Sequence, residues 1–157
     1  MGAKALGHAC FRKILVPIDF SESSMHALGV ALDIAGHFGS VVVLLHVVAP
    51  TVYPDTPFSL SPALDETTQN LVESGRERLG VICRRRVGGQ ITAETLVRIG
   101  HAHSEIADTA NALGVDLIVL STHGHTSLQH VSLGSTAEKV LRQASCAVLT
   151  VRPPGST

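Results

Sequence analysis

From Val41 to Val48 the chain is apolar at consecutive positions, interrupted only by His46, rather than at every second one. A strand apolar on both faces has to be covered on both, the situation of a central strand in a parallel sheet. Parallel strands need crossovers, and strand-like and helix-like patterns alternate along the whole chain. Ile14-Leu15-Val16-Pro17-Ile18 reads as a first strand. A first helix follows from Met25 to Phe38, with Leu28, Ala31, Leu32 and Ala35 on one face, Ser21 as N-cap and Gly39 as stop. The pattern then predicts a helix over about Leu64 to Arg86, a strand from Thr92 to Ile99 and a helix over about Ser104 to Leu113. A strand from Leu117 to Leu120, a helix from Ala137 to Gln143 and a strand from Ala147 to Val151 complete it. The expectation is one α/β domain over residues 1–157: a doubly wound, Rossmann-like sheet of five parallel strands with right-handed crossovers. With the chain starting in the middle of the sheet, the order is 3-2-1-4-5 and the direction reverses between the first and fourth strands. Ligands of such sheets bind at that switch point, outside the carboxyl ends of the strands.

Two separate pieces of chain meet there. Pro17-Ile18-Asp19 ends the first strand, and Ser121-Thr122-His123-Gly124 ends the fourth. Gly124 and then nine intervening residues lead to Gly134-Ser135-Thr136, immediately before the last helix. A strand, a loop of small residues and a helix start form an anion site, because the first amides of a helix have no intrahelical acceptor and point outward. Asp19 is ill suited to a phosphate but well suited to ribose hydroxyls, which donate to a carboxylate. A phosphate cradle beside a ribose-reading acid describes a nucleotide site. Asp19 has a second reading, as an acceptor for the start of the first helix, and Gly124 and Gly134 have one as permissive backbone.

Composition narrows the partners. The chain has 157 residues, 45% of them hydrophobic and 16% charged, which suits a compact soluble domain and excludes a disordered tail. Twelve Lys and Arg against 13 Asp and Glu leave no overall field for nucleic acid or an anionic membrane. The longest unbroken apolar run, Val41 to Leu45, falls far short of the roughly 20 residues that span a bilayer. Cys10, Cys83 and Cys146 are odd in number and lack a CxxC spacing, and the first twelve residues lack the apolar stretch of a signal peptide. Both point to the cytoplasm.

The residues quoted above, with His46-Val47, Asp116 to Gly124 and Cys146-Ala147-Val148-Leu149-Thr150-Val151-Arg152, resemble the universal stress protein family over nearly the whole chain. Nucleotide-binding members carry Gly-x-x-Gly, nine residues, then Gly-Ser or Gly-Thr. Here Gly124 and Gly134-Ser135 match, Ser121 stands for the first glycine, and His125 stands where arginine is frequent. The resemblance implies an adenine nucleotide, ATP or a relative, with magnesium as an accompanying ion. Asp19 would contact ribose, Val47 would offer backbone groups to adenine, and Gly124, Gly134, Ser135 and Thr136 would hold phosphates. Pro17, Ile18, Ser121, His123 and His125 complete the candidate set. The implied role is a stress-response sensor that passes its state to a protein partner. The other reading of the same fold is a nucleotide-free dimeric interaction module, and the backbone at Ser121 separates the two, since serine resists a positive φ.

Catalysis has little support. The Gly-Lys-Ser or Gly-Lys-Thr of a P-loop, the Gly-x-Ser-x-Gly elbow and CxxC are all missing, so at most slow ATP turnover is expected. His101, His103, His123, His125 and His130 suggest a metal, but strands three and four lie three spacings apart, roughly 14 Å, too far for one coordination shell. Arg84-Arg85-Arg86 reads as a solvated helix end and Cys146 as a small buried hydrophobe. The proline-containing connection from Ala49 to Pro62 carries Tyr53 and Phe58, either a lid over the base or a packing layer on the second helix. The final strand, at a sheet edge and soon stopped by Pro153-Pro154, is the expected seam of a homodimer.

Overall fold

The structure, a computed structural model, describes residues 11–50, 66–122 and 134–152. The elements run β1 (Lys13–Pro17), α1 (Glu22–Phe38), β2 (Val41–Val48), α2 (Glu66–Ile82), β3 (Ala93–Ile99), α3 (Ala102–Leu113), β4 (Leu117–Ser121), α4 (Ser135–Gln143) and β5 (Ala147–Val151). The five strands form one parallel sheet in the order β3-β2-β1-β4-β5, as the alternation of patterns predicts. The Ala49–Pro62 connection lies, but for its first two residues, outside the described residues. So do Cys10, His130, Pro153 and Pro154.

Alternation along the strands divides the core in two. Val42 and Leu44 of β2 pack with Ile14 and Val16 of β1 under Ala27, Leu28, Ala31 and Ala35 of α1 and Leu79 of α2. Val43 and Leu45 turn the other way, with Leu15, toward Ile106 and Ala110 of α3 and Ala137 and Val140 of α4. Val42 to Leu45 are all fully buried, the double covering that their unbroken apolar run requires. Each such side chain contributes about 1.5–3 kcal/mol by leaving water.

Local signals set several boundaries. The Ser21 hydroxyl accepts from the Ser24 amide at 3.1 Å and caps α1, and Gly39 closes that helix at φ 69° with its N–H on the Ala35 carbonyl. At the amino ends of the strands, the Asp116 carboxylate accepts from the amides of Arg12 and Lys13 at 2.9 and 3.0 Å, tying the start of β4 to the start of β1. Other boundaries differ from the sequence reading. β1 spans Lys13–Pro17, β3 starts at Ala93 and β4 includes Ser121. Three helices start two or three residues earlier, at Glu22, Ala102 and Ser135, because their first residues are mostly polar and carry little of the apolar period. The second helix ends as an α-helix at Ile82 and continues as a π-helical turn, Cys83–Val87. That wider turn leaves Arg84, Arg85 and Arg86 exposed while bringing Val87 into the core. Among the described residues, no helix is long and apolar enough to cross a membrane.

Cys146 is partly buried on the approach to β5 and packs against the α3–α4 side of the core. Desolvation raises its thiol pKa, a backbone hydrogen bond opposes the shift, and the Asp116 carboxylate adds to it. The protonated thiol is therefore favoured in the folded chain. Stability from this group is fully present below the unfolded thiol pKa and falls as pH rises through the higher folded value. Iodoacetamide at about pH 8 should alkylate Cys146 more slowly than an unfolded control, since only the thiolate attacks. Equal rates would contradict the shift.

Candidate functional site

A cavity of about 300 Å³ opens at the carboxyl ends of β1, β2 and β4, at the reversal point between β1 and β4. That volume is at the lower end of the range for small-molecule sites. Pro17, Ile18, Asp19, Val47, Ser121, Gly134, Ser135 and Thr136 all line it. They come from both parts of the sequence that the switch-point argument joined. His123, Gly124 and His125 are outside the described residues.

Each wall has a local cause. Beyond β1 the chain turns through Asp19 and Phe20 into α1, and Asp19 Oδ1 accepts from the Ser21 amide at 3.0 Å and from the Ser21 hydroxyl at 2.5 Å. The helix-start role considered for Asp19 is therefore real. It coexists with a place on the cavity wall, since a carboxylate has about four acceptor sites. Opposite, Thr122 donates its amide to the Val151 carbonyl at 2.9 Å, and its own carbonyl accepts from the Gly134 amide at 2.8 Å. The exit of β4 and the entry of α4 are thereby joined. The first intrahelical bond of α4 runs from the Glu138 amide to the Gly134 carbonyl, and no side chain caps the helix. The amides of Ser135, Thr136 and Ala137 precede that bond and present the partial positive charge of a helix N-terminus to the cavity.

Two backbone angles bear on the glycine motif. Gly134 has φ −63° and ψ 146°, a conformation open to any residue, so backbone freedom is not what glycine supplies there. What it supplies is the lack of a side chain. Among the described residues, Phe20 is the one non-glycine residue at positive φ, so Ser121 ends β4 without strain, paired with Val151.

Eight lining residues are absent from the candidate set, among them Leu45, His46, Ala102, Ile106 and Thr122. Ala102 and Ile106 belong to the first turns of α3, which the topology brings over the end of β2. Nothing local in their sequence signals that position. His101 and His103 stack with ring centroids 6.2 Å apart, and the described residues contain no group of three metal-ligating side chains.

A model of the universal stress protein family matches residues 11–152. The chain belongs to the universal stress protein family. Universal stress protein MJ0531 of Methanocaldococcus jannaschii is 32% identical over 148 residues, covering 94% of this chain and 86% of that protein. The structure of universal stress protein UspA from Lactobacillus plantarum superposes with a TM-score of 0.77 at 30% identity, over 92% of this chain and all of the other. Two more distant family structures share the fold. One is a complex with cAMP, with a TM-score of 0.59 at 19% identity, covering 92% of this chain and 98% of its own. The other, from Archaeoglobus fulgidus, is a complex with dAMP, with a TM-score of 0.61 at 20% identity, covering 90% and 98%.

Proposed function

We propose that the cavity binds an adenine nucleotide, with ATP and magnesium the physiological form, and that the protein is a stress-response sensor. The observation that carries this reading is the pairing, in one cavity, of Asp19 on one wall with the first amides of α4 on the other. The carboxylate would take ribose hydroxyls, the helix N-terminus and Gly134 would take phosphate oxygens, and Val47 would meet the base. Gly134 supports this reading, because a glycine without a special dihedral is explained by close approach of a ligand. The family members solved with cAMP and dAMP support an adenine ligand by analogy. The homodimer is proposed through β5, whose outer edge lacks a strand partner among the described residues. Turnover is slow if present, and the cytoplasm is the proposed location.

Calorimetric titration with ATP and magnesium should give a micromolar-scale constant, about −8 kcal/mol. Neither heat nor nucleotide retained through purification would overturn the reading. Asp19→Asn keeps an oxygen for Ser21 but removes the charge that ribose would read. It should weaken ATP about tenfold or more, the size of a hydrogen bond to a charged group, while inorganic triphosphate binds at least as well as before. Equal losses for both ligands would exclude the ribose role.

A further inference from the structure

The end of the β1–β2 ladder is irregular at one carbonyl. The two strands run in register to Pro17 opposite Leu45, and the Ile18 amide extends the ladder onto the Leu45 carbonyl at 2.7 Å. In a regular parallel ladder the next bond joins the Val47 amide to the Ile18 carbonyl. Here that carbonyl accepts from Nδ1 of His46 at 2.7 Å, and among the described residues no backbone bond joins Val47 to Ile18. A carbonyl only accepts, so Nδ1 carries the hydrogen. Peptide groups of alternate strand residues face opposite neighbours, which turns those of Leu45 and Val47 toward β1. With β1 departing, the Val47 backbone faces the cavity that it lines.

The imidazole is held from two sides. Phe20, at φ 66°, packs its ring 4.5 Å from the His46 ring, and the Arg78 guanidinium lies 3.7 Å from the Phe20 centroid. Helix α2 crosses at Gly75, where a Cβ would stand 2.8 Å from His46 Cδ2. Only a residue without a side chain lets the ring reach Ile18.

We propose that His46 is a positioning residue. By occupying the Ile18 carbonyl it ends the ladder early, which fixes the turn that carries Asp19 and leaves the Val47 amide facing the cavity as a donor. Its consequence for binding rests on the nucleotide reading; its consequence for the backbone does not.

The test is residue-resolved amide exchange on the ligand-free protein, followed by titration with ATP and magnesium. In His46→Leu the Val47 amide should gain the Ile18 carbonyl and exchange about tenfold more slowly, while Phe20 and Ser21 exchange faster. General destabilisation would accelerate all three. His46→Asn, whose amide nitrogen occupies the place of Nδ1, should restore the wild-type pattern. Gly75→Ala leaves the imidazole intact but displaces it, and should reproduce the opposed changes even if His46→Leu does not fold. Unchanged or faster exchange at Val47 in Gly75→Ala, or an Asn variant that behaves like Leu, would overturn the proposal. ATP affinity should fall about tenfold in His46→Leu and return in His46→Asn. If the wild type binds no nucleotide, the functional reading fails, and the exchange pattern still decides the role of His46.

Discussion

Ser135→Asp should abolish most ATP binding while leaving the fold at least as stable as before. Ser135 is the first residue of α4 and is exposed. A carboxylate in a first helical turn interacts favourably with the helix dipole, by about 0.3–1 kcal/mol, so the thermal midpoint should hold or rise. The same charge would stand where the nucleotide phosphates are proposed to lie. Like charges placed together cost several kcal/mol, so ATP affinity should fall by about a hundredfold or more. Adenosine has no phosphate and should bind the variant as it binds the wild type. Calorimetry with both ligands, beside a thermal melt, separates the outcomes. Unchanged ATP affinity would remove α4 from the phosphate site.

Leu149→Glu should convert the protein from dimer to monomer. β5 is the last strand of the sheet order, so one of its edges is unpaired in a single chain. Such an edge offers backbone donors and acceptors to a second copy. Ala147 and Leu149, two residues apart and therefore on one face, are both exposed, Leu149 at 36%, although both are apolar. A two-fold axis along this edge would cover the same patch on both subunits. Burying an unpaired glutamate there is strongly unfavourable, whereas on a free chain it meets water. Light scattering should give about twice 16.5 kDa for the wild type and one chain mass for the variant, with circular dichroism unchanged. A wild type that is monomeric at high micromolar concentration would end the dimer proposal.

Several elements were legible because their causes are local. β2 and β5 have the bounds that their apolar runs indicate, Val41–Val48 and Ala147–Val151. Ser21 and Gly39 bound α1 because a capping hydroxyl and a left-handed residue act within one turn of chain. The pairing of Asp19 with Gly134 in one cavity was legible for a different reason. Strand order follows from alternating elements and the short list of allowed crossovers, and the switch point follows from strand order. The π-helical turn at Cys83–Val87 was not legible. Three arginines in succession look like any solvated helix end until Val87 is seen to need a place in the core.

His46 marks where sequence reasoning stops. Within Val41–Val48 it is simply one polar residue in a strand, and its pattern says which element it belongs to but not what its ring meets. Its partners, the Ile18 carbonyl, the Phe20 ring and the space beside Gly75, are 28, 26 and 29 residues away and come from the β1–α1 connection and from α2. The positive φ of Phe20 has the same origin, since nothing in Asp19-Phe20-Ser21 calls for it. The sequence by itself determined the sheet, the order of its strands and which strand ends meet, because periodicity, caps and crossover rules act over a turn or a strand. Only the tertiary structure decided how the end of β1 is held open and which of α3's residues close the cavity, because those contacts exist only once separate elements have packed.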